Sequence, residues 1–285
     1  FLNYERKTLA KKTILITGCS SGIGYDVAHT LSKKGWRVFA TCRSEIDCDR
    51  LRNEGLESFI LDYSSEESIQ AAVDETLKRT KGTLDAVYNN GAYAIPGLVQ
   101  DIPRNAYRAI FEVNLFGYFD LINKILPIMH DQGHGRIINC SSILGFTAIK
   151  ARGAYNATKF AMEGLTDTLR LELRNSPIKI ILIEPGPITA NIRINSQKHF
   201  EHWVNWKTSK NITFYEKKLI PRLYSKKNSL DFGELPPAAV TKKIIHALES
   251  KNPCPRYYVT LPTYMFGMFN RLFSTRILDW IKTKI

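Results

Sequence analysis

The stretch KTILITGCSSGIGYDVAHTLSKKG, residues 12–35, reads as strand, turn and helix in succession. Lys12 to Thr17 is a short apolar run ending in Gly18, and Ile23, Val27 and Leu31 then recur at helical spacing until Gly35 closes the pattern. Gly18, Gly22 and Gly24 are spaced G-x-x-x-G-x-G where the strand enters the helix. Gly18 permits a tight turn, Gly22 lets backbone approach a pyrophosphate, and Gly24 lets the helix pack on the sheet while its N-terminus supplies donors and partial positive charge. A glycine cluster alone is a loop. After the first strand of a βαβ unit it favours dinucleotide binding, with Thr17, Ser20, Ser21 and Ile23 beside the phosphates.

Working outward, strands are predicted at Arg37 to Thr41, Ser58 to Leu61, Leu84 to Tyr88, Arg136 to Cys140, Lys179 to Glu184 and Arg256 to Thr260. Helices are predicted around Asp49, at Glu66 to Thr80, Pro103 to Met129 and Ala154 to Asn175, and from near Pro236. This alternation specifies an α/β, single-domain, Rossmann-like doubly wound parallel sheet of about seven strands with helices on both faces. The 285 residues lie near the upper limit of a single core, so 1–285 is expected to be one domain. After Pro185-Gly186-Pro187 the pattern breaks, and 191–235 reads as a substrate-lid insertion before the last crossover. Residues 262–285 read as a C-terminal helical extension, with Tyr264 to Ile281 one amphipathic helix bearing Phe266, Phe269, Leu272, Phe273 and Trp280. That aromatic face permits peripheral membrane contact, with core packing the favoured reading.

An acid about 20 residues past the glycine turn hydrogen-bonds a ribose 2′-hydroxyl in NAD-type sites. Here Cys42 stands at the end of the second strand, Arg43 follows, and Glu45 lies beyond it. Arg43 pairs with a 2′-phosphate more readily than with a hydroxyl, and Ser20 offers a further donor, so NADP(H) is expected over NAD(H). Asp62 is placed to contact adenine or to make an Asx turn. Asn90 and Gly91, in Asn89-Asn90-Gly91-Ala92, end the fourth strand along the expected cofactor ribose.

Ser142 precedes Tyr155 by 13 residues, and Lys159 follows that tyrosine by one helical turn, on the same helix face. With 13 tyrosines and 40 basic residues, one Tyr-x-x-x-basic pair arises by chance, so the spacing gains meaning only beside the dinucleotide turn. A phenol of pKa about 10 is a poor base at neutral pH. Lowering it by about three units takes about 4 kcal/mol, which one ammonium at about 4 Å supplies at an effective dielectric of about 20. The chemistry implied is proton and hydride exchange at a carbonyl. Asn114 lies within a long helix, where asparagine has poor propensity and needs another reason to be present.

Apolar runs such as Ile178 to Ile183 fall far short of the roughly 20 residues that span a bilayer. The five cysteines lack metal-ligand spacing, so no metal is expected, and together with the absence of an apolar leader core they favour a cytoplasmic location. Net charge is +13, and Arg193 to Lys227 holds nine Lys/Arg against Glu201 and Glu216. A basic run can attract nucleic acid, anionic lipid or an acidic substrate, and the solvated face of a mobile loop is the favoured reading, with nucleic acid not expected.

Together, TGCSSGIG, NNGA, Asn114 in VNLFG, Ser142, YNATK and PGPITA resemble the short-chain dehydrogenase/reductase family in order and spacing, over about residues 11 to 190. TGCSSGIG, ATCR and IEPGP resemble its NADP-using hydroxysteroid and retinol dehydrogenase branch and bacterial relatives. The resemblance implies Tyr155 as general acid in reduction and base in oxidation, and Ser142 as hydrogen-bond partner of the substrate oxygen. It implies Lys159 on the nicotinamide ribose, Asn114 anchoring a relay water, and Pro185, Gly186, Ile188 and Thr189 along the nicotinamide. It further implies a small hydrophobic alcohol or carbonyl substrate lined by Tyr93, Ile95, Phe146, Ile149 and Pro187, and a homodimer or homotetramer paired through the long helices. The family usually shows Asn-Asn-Ala-Gly where this chain has Gly91-Ala92, and residues after about Asn191 match no substrate pattern. A non-catalytic dinucleotide-binding regulator using 193–227 is the alternative, although it has no need for the Ser-Tyr-Lys-Asn set. Epimerases and dehydratases share the tyrosine and lysine but resemble G-x-x-G-x-x-G turns with a larger C-terminal domain.

Overall fold

A computed structural model describes residues 11–225 and 231–284. Its strands are β1 (Thr13–Ile16), β2 (Arg37–Cys42), β3 (Glu57–Ile60), β4 (Ala86–Asn89), β5 (Gly135–Cys140), β6 (Ile178–Glu184) and β7 (Arg256–Tyr258). They form one parallel sheet in the order β3-β2-β1-β4-β5-β6-β7. Parallel neighbours require crossovers, and the winding changes direction between β1 and β4, which opens a crevice at their C-terminal ends.

The helices are α1 (Gly22–Lys33), α2 (Glu45–Asn53), α3 (Glu66–Thr80), α4 (Arg104–Phe111), α5 (Gly117–Asp131), α6 (Gly153–Glu172), α7 (Ile192–Trp203), α8 (Ile212–Phe214), α9 (Ile220–Leu223), α10 (Ala238–Glu249), α11 (Leu261–Leu272) and α12 (Thr275–Thr283). Continuous apolar strands follow from burial on both faces. Ile14 and Ile16 pack with Val27, Leu31 and Ile244 on one side, while Leu15 between them packs with Val73, Leu121 and Ile125 on the other.

Three departures from the sequence reading have physical causes. The helix expected at Pro103 to Met129 is α4 and α5 joined by one wide π-turn, Glu112–Phe116, which contains Asn114. The segment 191–235 is largely helical where described: Phe200, Tyr215, Leu219 and Leu223 are buried with Tyr93, Ile95 and Tyr155, giving those turns a core of their own. Lys226 and Lys227 of the basic stretch lie outside the described residues. The expected C-terminal helix is two helices, because Phe273 and Ser274 are extended and a new helix begins at Thr275. Of its apolar residues Phe266 is buried, whereas Leu272, Phe273 and Trp280 are exposed, so core packing accounts for only part of the stripe.

Arg256 ties this end of the sheet together. Its guanidinium meets Glu163, reaches Asp167 at 2.5 Å, and also meets Glu184 at the end of β6. Burial and the charge of Glu163 push the Glu184 carboxyl pKa up, and Arg256 opposes them. Arg256→Met leaves buried carboxylates without their cation, and is expected to cost about 3–5 kcal/mol in urea unfolding at pH 7. The deficit should grow as pH rises through about 9, where Glu184 ionises beside Arg256 but not without it; a loss below about 1 kcal/mol at pH 7 would show that the cluster contributes little.

Candidate active site

A cavity of about 1930 Å³ runs from the glycine turn past α6 to Pro185–Thr189 and α9. Small-ligand pockets occupy roughly 300–1,000 Å³, so this one has room for a dinucleotide and a second molecule.

Gly18 has φ +68°, and a Cβ on it would lie 2.6 Å from the Gly91 Cα, so the chain leaving β1 abuts the chain leaving β4. A Cβ on Gly24 would lie 2.4 Å from the Gly18 carbonyl oxygen; Gly24 packs helix against turn from behind, while Thr17, Gly18, Ser20, Ser21, Gly22 and Ile23 line the cavity. Ser21, just before α1, makes no side-chain cap bond, and the first turn of α1 has no acid. The N–H donors and positive end of this helix therefore remain available for a pyrophosphate, which is the fit a dinucleotide requires.

The floor is fixed by hydrogen bonds. Thr17 Oγ1 accepts from the N–H groups of Asn90 at 2.9 Å and Gly91 at 3.1 Å, and Asn90 Nδ2 donates to the Thr17 and Gly18 carbonyls at 3.0 and 3.2 Å. Beneath them Tyr63 donates to Asn89 at 2.6 Å, Asn89 to Asn139 at 2.9 Å, and Asn139 to Thr166 at 3.0 Å. This satisfied polar chain joins β4 and β5 to α6. An alanine Cβ at Gly91 would find Gly18 and Tyr63 at 3.5 Å, an ordinary contact, so either residue order fits this floor.

Ser142, Tyr155 and Lys159 line the same cavity, as do Pro185, Gly186, Ile188 and Thr189. Lys159 is 1% exposed, and its ammonium donates to the Cys140 carbonyl at 2.7 Å. Burial pulls its pKa down to about 8, against the opposing influence of Cys140 and Glu163. The i, i+4 spacing predicts a phenol depressed by this lysine. Instead burial dominates and pushes the Tyr155 hydroxyl up, with the Ser142 hydroxyl pulling the other way. The reason is geometric: the Lys159 nitrogen is turned to Cys140 and lies 5.7 Å from the Tyr155 ring centroid. Asn114 accepts from the Tyr93 N–H at 3.1 Å and donates to the Tyr93 carbonyl at 2.8 Å and to Thr158 at 3.3 Å. Its side chain is a brace for the loop after β4, away from the cavity wall.

Arg43 is exposed on the cavity wall and makes no hydrogen bond or ion pair among the described residues. Asp62 takes the other of its two readings: its Oδ1 accepts from the Ser64 N–H and hydroxyl at 2.9 and 2.7 Å, an Asx turn, and its neighbours Leu61 and Tyr63 line the cavity instead. Tyr93, Ile149 and Pro187 line the cavity as expected. Ile95 does not, being wholly buried against Ala106 and Tyr215. Phe146 is drawn off toward β7 and α11, packing on Tyr258 of β7 at 5.5 Å while Asn270 of α11 donates to its carbonyl.

Sequence reasoning missed Arg152, Arg193 and Arg222, which line the cavity with Asp231. For Arg193 and Arg222 the signal was the basic stretch itself, whose inward members cannot be told from solvated ones by charge alone; Arg152 lies outside that stretch. It also missed His199, stacked on Tyr93 at 3.9 Å. Among the described residues no helix is long and apolar enough to cross a membrane, and no three His, Cys, Asp or Glu side chains are grouped to hold a metal ion.

Residues 12–201 match the family model for short chain dehydrogenase. The chain is 36% identical over 271 residues to an uncharacterized oxidoreductase, YbbO, of Escherichia coli, covering 95% of this chain and 94% of that one. It is 30% identical over 280 residues to retinol dehydrogenase 7 of Mus musculus, covering 95% and 87%. A short-chain dehydrogenase from Streptomyces avermitilis superimposes with a TM-score of 0.78 at 26% identity, covering 97% and 98% of the two chains. Further structures of this fold were solved with NAD in one case and NADPH in another. With the glycine turn, the sheet order and the Ser142, Tyr155 and Lys159 cleft in agreement, the chain belongs to the short-chain dehydrogenase family of oxidoreductases.

Proposed function

We propose that this protein is an NADP(H)-dependent oxidoreductase that interconverts an alcohol and a carbonyl, acting on a substrate with a substantial apolar part. The observation that carries the reading is the convergence of Tyr155, Ser142 and Lys159 on one cavity that the glycine turn also lines. A nicotinamide dinucleotide, when bound, supplies or accepts hydride. Tyr155, kept protonated across neutral pH by its burial, donates to the carbonyl oxygen during reduction. Ser142 hydrogen-bonds that oxygen and orients it. As Tyr155 gives up its proton, the Lys159 ammonium stabilises the phenolate. Lys159 has three N–H donors, of which Cys140 takes one, leaving donors for ribose hydroxyls. Asn114 is a positioning residue that holds the Tyr93 backbone and, through Thr158, the helix of Tyr155.

Arg43, free of carboxylates at the end of β2, is assigned to the 2′-phosphate, with Ser20 nearby. Thr189 and Ile188 are assigned to the nicotinamide side, although the Thr189 hydroxyl donates to Glu234 at 2.8 Å. The segment 191–235 is assigned as the lid over the substrate.

Tyr155→Phe is expected to lower kcat by at least about 100-fold with NADPH affinity preserved, as measured by aldehyde-dependent absorbance loss and by fluorescence titration. Full turnover in that variant would refute the assigned acid. For the cofactor, kcat/KM with NADPH should exceed that with NADH by about 10-fold or more, and Arg43→Ala should bring the ratio near one. A wild-type ratio at or below one would remove Arg43 from its role.

A further inference from the structure

The arginines on the cavity wall are not explained by a wholly apolar substrate. Arg152 stands at the start of α6, three residues before Tyr155, and its backbone bridges to Gly97. Arg193 lies on α7 and Arg222 on α9, so three separate elements bring guanidinium groups to one wall. Asp231 is shared by two of them, at 2.6 Å from Arg193 and 3.4 Å from Arg222. Glu234, a second carboxylate on this cavity, is engaged by the Thr189 hydroxyl and the Asp231 N–H, both at 2.8 Å, and Asp279 of α12 also lines it. Arg152 has no ion pair among the described residues; its guanidinium meets only the Ala151 carbonyl, at a long 3.3 Å. Burial pulls its pKa down to about 10, with the charges of Arg222 and Arg193 adding and Asp231 opposing. Arginine does not give up its proton in proteins, so the shift measures how poorly this cation is compensated. Beside it Leu98, Val99, Ile149 and Leu223 supply apolar wall.

We propose that Arg152, with Arg193 and Arg222, holds an anionic oxygen group, a carboxylate or a phosphate, at the end of an otherwise apolar substrate whose reacting carbon lies at Tyr155. The substrate class is thus an amphiphilic aldehyde or ketone, or the matching alcohol, with its charge away from the reacting carbon. The planar fork of a guanidinium matches both oxyanions, and an anion entering here gains from a partly desolvated cation that the fold leaves unpaired. The dinucleotide phosphates are provided for elsewhere, by the uncapped N-terminus of α1 and by Arg43.

The proposal rests on the cavity being the substrate site of an oxidoreductase, so the test separates binding from turnover. Octanoate, octyl phosphate and octanamide are titrated calorimetrically against the wild type, Arg152→Met, Arg152→Lys and, in case the first variant misfolds, Arg222→Met. At least one anion should bind about 10-fold or more tighter than the amide, identifying which group is preferred. Arg152→Met should reduce that preference below about 2-fold, and Arg152→Lys should keep part of it. In turnover, kcat/KM for 8-oxooctanoate, or for the corresponding phosphate, should exceed that for the methyl ester of 8-oxooctanoate, with the ratio collapsing in Arg152→Met. Equal binding of anions and amide, or an anion preference unchanged in both methionine variants, overturns the proposal. So does an Arg152→Met defect confined to NADPH affinity, which would place the arginine on the cofactor. If octanoate or octyl phosphate binds as expected but no aldehyde is reduced, the anion site stands and the oxidoreductase reading falls. If acid and ester are reduced alike, the oxidoreductase reading stands and the anion site falls.

Discussion

The hydrogen bond from the Lys159 ammonium to the Cys140 carbonyl, 2.7 Å long and almost wholly out of water, is the constraint around which this site is built. A buried cation without a carboxylate partner is costly, and the cost appears as a pKa drawn down to about 8. The fold accepts it because the bond fixes α6 on the end of β5. Tyr155, one turn earlier on the same face, is thereby set beside Ser142, two residues past Cys140. One turn beyond Lys159, Glu163 meets Arg256, which also takes Asp167 and Glu184. Tyr155 and Lys159 and the far edge of the sheet are therefore both anchored through α6. A shift of α6 would disturb both.

The second wall of the cavity is set by the loop after β4 and the helices after Pro187. Asn114 reaches Tyr93 because the helix widens by one residue at that point, the kind of π-turn found where a helix serves a site. Tyr93 in turn stacks with His199 of α7, so that helix rests on the brace below it. Burial first, then the charge of Arg43, lowers the His199 pKa to about 4. The imidazole is thus neutral at physiological pH, and it adds no cation to a wall already rich in arginine.

Much of the scaffold was legible in the sequence because the physics is local. Parallel strands covered on both faces must be continuously apolar, and a turn that brings the backbones after β1 and β4 together at Gly18 must use glycine. Tyr155 and Lys159 were legible for the same reason, since helical spacing alone puts them on one face. What required tertiary information was of another kind. The break at Phe273 interrupts a stripe that periodicity reads as unbroken. Phe146 packs on Tyr258 of β7, and Ile95 went to the core, because aromatic and aliphatic residues suit a pocket or a core equally well. The Tyr155 pKa moved opposite to the spacing argument because burial, which no local pattern reports, outweighed a lysine whose charge is turned to Cys140.

The pairing of a protonated Tyr155 with a charged Lys159 is tested most directly by the pH dependence of the single-turnover rate of NADPH oxidation by a saturating aldehyde, from pH 6 to 10. Burial raises the Tyr155 pKa, so the acid stays loaded through the neutral range. Burial lowers the Lys159 pKa to about 8, so the charge that receives the developing phenolate is complete below that pH and lost above it. The rate should hold level up to about pH 8 and then fall, and Lys159→Met should be slow with no inflection there. A wild-type rate that rises through pH 8, or stays level to pH 10, would contradict the account.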